Sequence, residues 1–237
     1  HQIFEYYRLF LVPAVTMQEF TDNIWEPKII YNTRIFDDMV RTFCVNPNGH
    51  VVMENTNGII TVNGHAFANS KSENTNFAVL VSQEFTEPFD QPVIYGRYIA
   101  SLANMLSGGI IVQRLGDLKR GRRSTTARIE RGMLEPTLKG AVPGDLSLVL
   151  PHRYLVGITE FLEALDNAMP GVASDHTLLY GIETKFYSAR PQLNNHLKTD
   201  IDGLWAVGDG AGVTRGLIQA SVSGVIAARD IIENPRS

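Results

Sequence analysis

Apolar and β-branched residues recur in short runs through the first half of the chain, and polar turns separate them. The run "MVRTFCV" begins at Met39 and is followed by Asn46-Pro47-Asn48-Gly49, a strong turn. "HVVME" and "IITVN" come next, joined across Asn57-Gly58, the dipeptide that best suits a tight hairpin. These three runs predict an antiparallel meander. "NFAVLVS", from Asn76, predicts a fourth strand, apolar enough to be buried. Residues 1–35 are aromatic-rich but show no clean period. Pro13 breaks their longest apolar run, and Pro27 stops any long helix.

Two later segments change period from two to about 3.6. "VIYGRYIASLANML" puts Ile94, Tyr98, Leu102, Met105 and Leu106 on one helical face, and Gly108-Gly109 ends it. "RYLVGITEFLEALDNAM" does the same with Tyr154, Ile158, Phe161, Leu162, Leu165 and Met169 before Pro170-Gly171. These helices are expected to cover the sheet. Between them runs a polar, basic connection, and "TLLYGIETKFYSA" predicts one or two more strands. The expected fold class is α+β, with an antiparallel or mixed sheet under helices.

The last pattern is of another kind. "LWAV" reads as a buried strand, and Gly208-Asp209-Gly210-Ala211-Gly212 turns sharply after it. A helix is expected from about Gly216 to Ile232, with Ala220, Gly224, Ala227 and Ala228 on one small-residue face. The unpaired N–H groups at its start favour negative charge, by roughly 0.3–1 kcal/mol and up to about 2 when partly buried. An Asp between glycines, then Thr-Arg-Gly and a small-residue helix, is more particular than a generic turn.

Composition narrows the classes. A chain of 237 residues holds one large domain or two small ones. Its formal net charge of −4 provides no global field for nucleic acid. The single cysteine, Cys44, excludes an internal disulfide and reads as a small core residue. With no Asn-x-Ser/Thr acceptor, this fits a cytoplasmic protein. No apolar run is long enough to span a membrane. None of the six histidines pairs with another His, Cys or carboxylate at metal-ligand spacing, so no metal site is expected.

The closing segment resembles the carboxy-terminal signature of flavoproteins with two dinucleotide domains. "YGRYIASLANMLSGGIIVQRLGDLKRGRRS", "PGDLSLVLP", "LLYGIETKFYSARPQLN" and "GDGAGVTRGLIQAS" together resemble a group of bacterial FAD-dependent dehydrogenases. The likeness covers roughly residues 19–232. It implies an oxidoreductase moving hydride through flavin N5, with a small-molecule substrate and NAD(P) as a possible electron partner. It implies that Gly208, Asp209, Gly210, Gly212, Gly216, Leu217 and Ile218 bind the cofactor. Asp209 would hold the ribityl chain, and the amides near Leu217 and Ile218 would face the flavin ring. It divides the chain into a substrate-type domain, 1–198, and a strand–turn–helix, 199–237, that completes a Rossmann-like FAD domain. The Gly-x-Gly-x-x-Gly fingerprint that opens such a domain is not in the sequence. The family would place it before His1. The expectation is therefore a truncated chain that binds FAD weakly or not at all by itself, inactive alone and open to homo-oligomer formation through uncovered surface.

The cationic run through Lys119, Arg120, Arg122, Arg123, Arg128 and Arg131 has two readings. It is a solvated loop with partners at Asp117 and Glu130, or it clamps a substrate carboxylate or phosphate. Arg120, Arg122, Arg123 and Arg215 are the anion candidates, and His65, with Asn74 and Asn76, is a further site candidate. Two other readings of the whole chain stand beside the oxidoreductase. One is a non-catalytic remnant or binding module with a structural Gly-Asp turn. The other is an anion-binding protein using the arginine loop.

Overall fold

The computed structural model describes residues 6–15, 29–85, 88, 91–185, 191–212 and 216–234. The chain divides into two compact units, Tyr6–Lys185 and Phe186–Ser237 with the first five residues.

In the larger unit the β-rich runs build a seven-stranded sheet. Its strands are β1 (Tyr6–Val15), β2 (Ile30–Asn32), β3 (Met39–Asn46), β6 (Thr75–Glu84), β7 (Ile111–Arg114), β8 (Val142–Pro143) and β9 (Leu178–Lys185). A separate hairpin joins β4 (His50–Thr56) to β5 (Ile59–His65). The sheet order is β2-β3-β6-β1-β9-β7-β8; every neighbouring pair is antiparallel except β7 and β8.

β6 shows why both faces need cover. Phe77, Val79 and Val81 enter one core; Ala78 and Leu80 enter the other, as period two requires. The first core is closed by α1 (Pro92–Ser107) and α4 (His152–Asp166), the second by the hairpin and the segment around Ile129. The predicted face of α4 is the buried one, with Tyr154, Ile158, Phe161, Leu162, Leu165 and Met169 all inside. Each fully buried Leu, Ile or Phe contributes about 1.5–3 kcal/mol.

Two sequence expectations are corrected in this unit. The meander does not form, because β3 pairs with β2 and β6 and not with β4. The register of β3 on β6 shifts between Phe43 and Asn46, and Cys44 lies in the left-handed region at φ 46°. Asn46 Nδ2 then donates to the Cys44 carbonyl at 2.6 Å and to Asn76 Oδ1 at 3.1 Å. The chain is thereby turned off the sheet, and the hairpin packs over its second face through Val51 and Val62. Asn57 and Gly58 both have positive φ, as its tight turn needs.

α1 is also turned from its expected face. Tyr98 and Met105 are each 72% exposed, and Ile94 and Leu106 are exposed as well. The buried side is Gly96, Ile99, Ala100 and Ala103, and the glycine and two alanines among them allow close approach to the sheet. Gly108 ends the helix at φ 68°, its N–H donating to the Asn104 carbonyl at 2.7 Å.

Four strands, β1, β2, β7 and β8, were hidden from the pattern. β1 lies at the sheet's centre although Pro13 interrupts its run, and its pairing with β6 skips Val12 and Pro13. β7 is only four residues long, and two short helices, α2 (Leu115–Lys119) and α3 (Thr126–Glu130), follow it inside the basic connection. No helix among the described residues is long and apolar enough to cross a membrane.

Candidate functional site

In the smaller unit "LWAV" is not a buried strand. Lys198 and Trp205 make one isolated antiparallel bridge, and Leu204 and Val207 are exposed. The arm closes through Thr199 N–H on the Leu204 carbonyl at 2.9 Å and Ala206 N–H on the Leu197 carbonyl at 3.0 Å.

Gly208 follows at φ 72°, ψ −158°, a conformation open essentially only to glycine. Nothing lies within 4 Å of where its Cβ would be. Its N–H donates to Ser223 Oγ at 2.8 Å, and that hydroxyl donates to the Ala220 carbonyl at 2.6 Å. The turn is thus pinned to α5 (Leu217–Glu233). Asp209, Gly210 and Ala211 make one 3₁₀ turn with Asp209 exposed, and Gly212 closes it at φ 65°. Gly216 is the N-cap of α5. Leu217 and Ile218, in the first turn, are 89% and 77% exposed. Arg215 lies outside the described residues.

The inner side of α5 is set by polar anchors as much as by small residues. Ala227, Ser223 and Asp230 are buried, Ala220 and Gly224 are half-buried, and Ala228 is exposed. Trp205 Nε1 donates to Asp230 Oδ2 at 2.9 Å and Asn234 Nδ2 to Oδ1 at 3.1 Å. The Trp205 indole holds the Asp230 carboxyl below its ordinary range against the upward push of burial.

In the larger unit the basic run is mostly committed to carboxylates. Asp117, fully buried at the side chain, accepts Arg122 Nε and Ser124 Oγ, each at 2.8 Å, with Arg128 Nε at 4.0 Å. Burial pushes the Asp117 carboxyl up, but Ser124 and Arg122 outweigh it and hold the carboxyl below its usual range. Arg120 reaches Asp175 at 2.6 Å and Lys119 reaches Glu163 at 2.9 Å. Arg131 Nε donates to the Ala127 carbonyl at 2.9 Å. Of the anion candidates, then, Arg120 and Arg122 are tied into the fold. Asp175 is 55 residues from Arg120, and no local pattern announces that pair.

His65 sits exposed at the end of β5 with its ring 4.4 Å from that of Phe67. Asn74 and Asn76 are buried, Asn74 on the Glu135 carbonyl and Asn76 on Asn46. Among the described residues no group of three or more His, Cys, Asp or Glu is placed to hold a metal ion.

A mixed sheet covered on both faces, and a separate glycine-turn-and-helix unit, define an α+β protein of two parts. Residues 28–186 match the family described as FAD-dependent protein, C-terminal domain-like, and the chain belongs to that family. The match covers the larger unit from residue 28 onward, leaving out β1, and stops before the Gly-Asp segment. The chain is also 29% identical over 219 residues to an uncharacterized protein of Clostridium beijerinckii, an overlap of 87% of this chain and 40% of that protein. The chain thus spans less than half of that relative's length.

Proposed function

We propose that this chain forms part of an FAD-dependent oxidoreductase, its residues 1–198 serving the substrate and 199–237 completing a Rossmann-like FAD domain. Membership of an FAD-dependent family carries this reading. The backbone at Gly208 supports it, because the space beside its Cα admits the close approach of a bound group. FAD, when bound, supplies hydride transfer through its N5 atom, with NAD(P) as an electron partner and a small molecule as substrate. Asp209 accepts hydrogen bonds from the hydroxyls of the ribityl chain. The Leu217 and Ile218 amides, in the first turn of α5, donate toward negative charge on the ring. Gly210 and Gly212 carry no side chain to obstruct that approach, whereas at Gly216 the Gln219 side-chain amide already fills the place a Cβ would take. These residues would serve the flavin end of the cofactor; the sequence itself contains no Gly-x-Gly-x-x-Gly pyrophosphate fingerprint.

The test is an FAD titration of the gene product that carries this segment, read by flavin fluorescence. Gly208→Val and Asp209→Ala are expected to weaken FAD by about tenfold or more, the scale of one lost charge-assisted contact. Asp202→Ala, 98% exposed at the side chain, is the neutral control. Equal affinity in all three variants overturns the assignment.

A further inference from the structure

Arg123 is the member of the basic run that the fold leaves unspent. Among the described residues no hydrogen bond or ion pair engages its guanidinium, while its backbone carbonyl accepts Arg128 Nη1 at 2.8 Å. It lines, with Arg122, a cleft of about 440 Å³ in the larger unit. That volume lies in the range of small-molecule sites. Apolar walls come from Leu106, Ile111, Val142 and Leu148.

The cleft carries charge of both signs. Asp145 also lines it, and its three hydrogen bonds, from Ser147 N–H, Ser147 Oγ and Gln113 Nε2, all go to Oδ1, leaving Oδ2. Leu106 and Ser107 bring the C-terminal turn of the 16-residue helix α1 to the same cleft, and that end carries partial negative charge.

Gln113 fixes the anionic group and the backbone of the cationic loop. It is fully buried, and its Nε2 donates both to the Arg122 carbonyl at 2.9 Å and to Asp145 Oδ1 at 3.3 Å. Its Oε1 accepts Leu146 N–H at 2.7 Å. Ser124 N–H on the Gly144 carbonyl, at 2.9 Å, ties the same two loops again. The Asp145 carboxylate and the backbone that carries Arg123 are thus preorganised, while the Arg123 guanidinium stays free to meet a ligand.

We infer that this cleft binds a zwitterion of amino-acid size with an apolar side chain. Arg123 takes the carboxylate, Asp145 the ammonium, and the aliphatic walls the side chain. A phosphate or dinucleotide fits poorly, because Asp145 and the α1 terminus oppose a ligand of one negative sign. The inference goes beyond the flavoprotein reading and does not depend on it, since every residue used lies in the larger unit and the test needs no FAD.

The experiment is a ¹H–¹⁵N chemical-shift titration with L-phenylalanine, phenylpropanoate and phenethylamine. L-phenylalanine is expected to shift the Gly121, Arg123 and Gly144 amides saturably, and each singly charged analogue to bind about tenfold more weakly. Arg123→Ala is expected to remove the advantage of L-phenylalanine over phenethylamine. Asp145→Asn, which keeps the Oδ1 acceptor, is expected to remove its advantage over phenylpropanoate. Arg131→Ala should change neither. The inference is overturned by unsaturable shifts, by Arg123→Ala binding like the parent protein, or by phenylpropanoate binding as tightly as L-phenylalanine.

Discussion

Replacing Asp117 by Asn removes one charge from the loop that carries Arg122 and Arg123 while keeping the side chain's shape. The parent carboxylate accepts two short bonds, from Arg122 Nε and Ser124 Oγ, with Arg128 at the edge of ion-pair range. A hydrogen bond to a charged group contributes about 1.5–3 kcal/mol. Arg122 is about half exposed and regains water when released, so the lower figure applies to it. Ser124 is buried and has no such recourse. The loss is then about 3–4.5 kcal/mol, or a fall of roughly 6–18 °C in Tm at 2–4 °C per kcal/mol for a chain of this size. The pH dependence has a definite sign. The folded Asp117 carboxyl sits below its ordinary value, so its contribution is complete above about pH 4, the unfolded carboxyl's range, and is lost as pH falls through the folded value. The gap between parent and Asp117→Asn, followed by circular dichroism on heating, is therefore widest near neutrality and narrows below about pH 4. A Tm change under 2 °C at pH 7, or a gap that persists undiminished in acid, would refute the account.

Trp205→Phe keeps the ring but removes the indole donor to Asp230; about 1–3 kcal/mol is expected to be lost from the smaller unit, measured by urea denaturation with a probe in α5. Because the Asp230 carboxyl is held low, that difference too is present at neutral pH and disappears in acid. Gly144→Ala sets a Cβ 2.9 Å from Ile111 Cγ2, and a cost of about 1–3 kcal/mol in thermal unfolding is expected; an unchanged Tm would show that Ile111 yields freely.

Legibility in the sequence followed the range of the interactions. α4 could be read residue by residue because its apolar stripe is the one the sheet buries. The β4–β5 hairpin was legible from Asn57-Gly58, since a tight turn is a local fact. The partner of β3 was not, because a left-handed Cys44 and an Asn46 bridging to Asn76 decide it. β1 escaped because Pro13 suggests a break, whereas the ladder simply skips that position on one side. In the candidate site the glycine turn was visible, since three glycines in five residues announce a special backbone. The allocation of the arginines was not. Asp175 and Glu163 reach their partners from distant parts of the chain, and only their folded positions separate the committed Arg120 from the unspent Arg123.

The way α1 meets the sheet bears on how this protein tolerates change. A positional scan scored by side-chain size would guard Tyr98 and Met105 and spend Ala100 and Ala103 freely. The packing inverts that ranking: the two alanines, at most 1% exposed, have no room to grow, while the large residues stand 72% exposed. Surface engineering of this unit for solubility therefore has natural starting points at positions 98 and 105, where a charged side chain displaces nothing in the core.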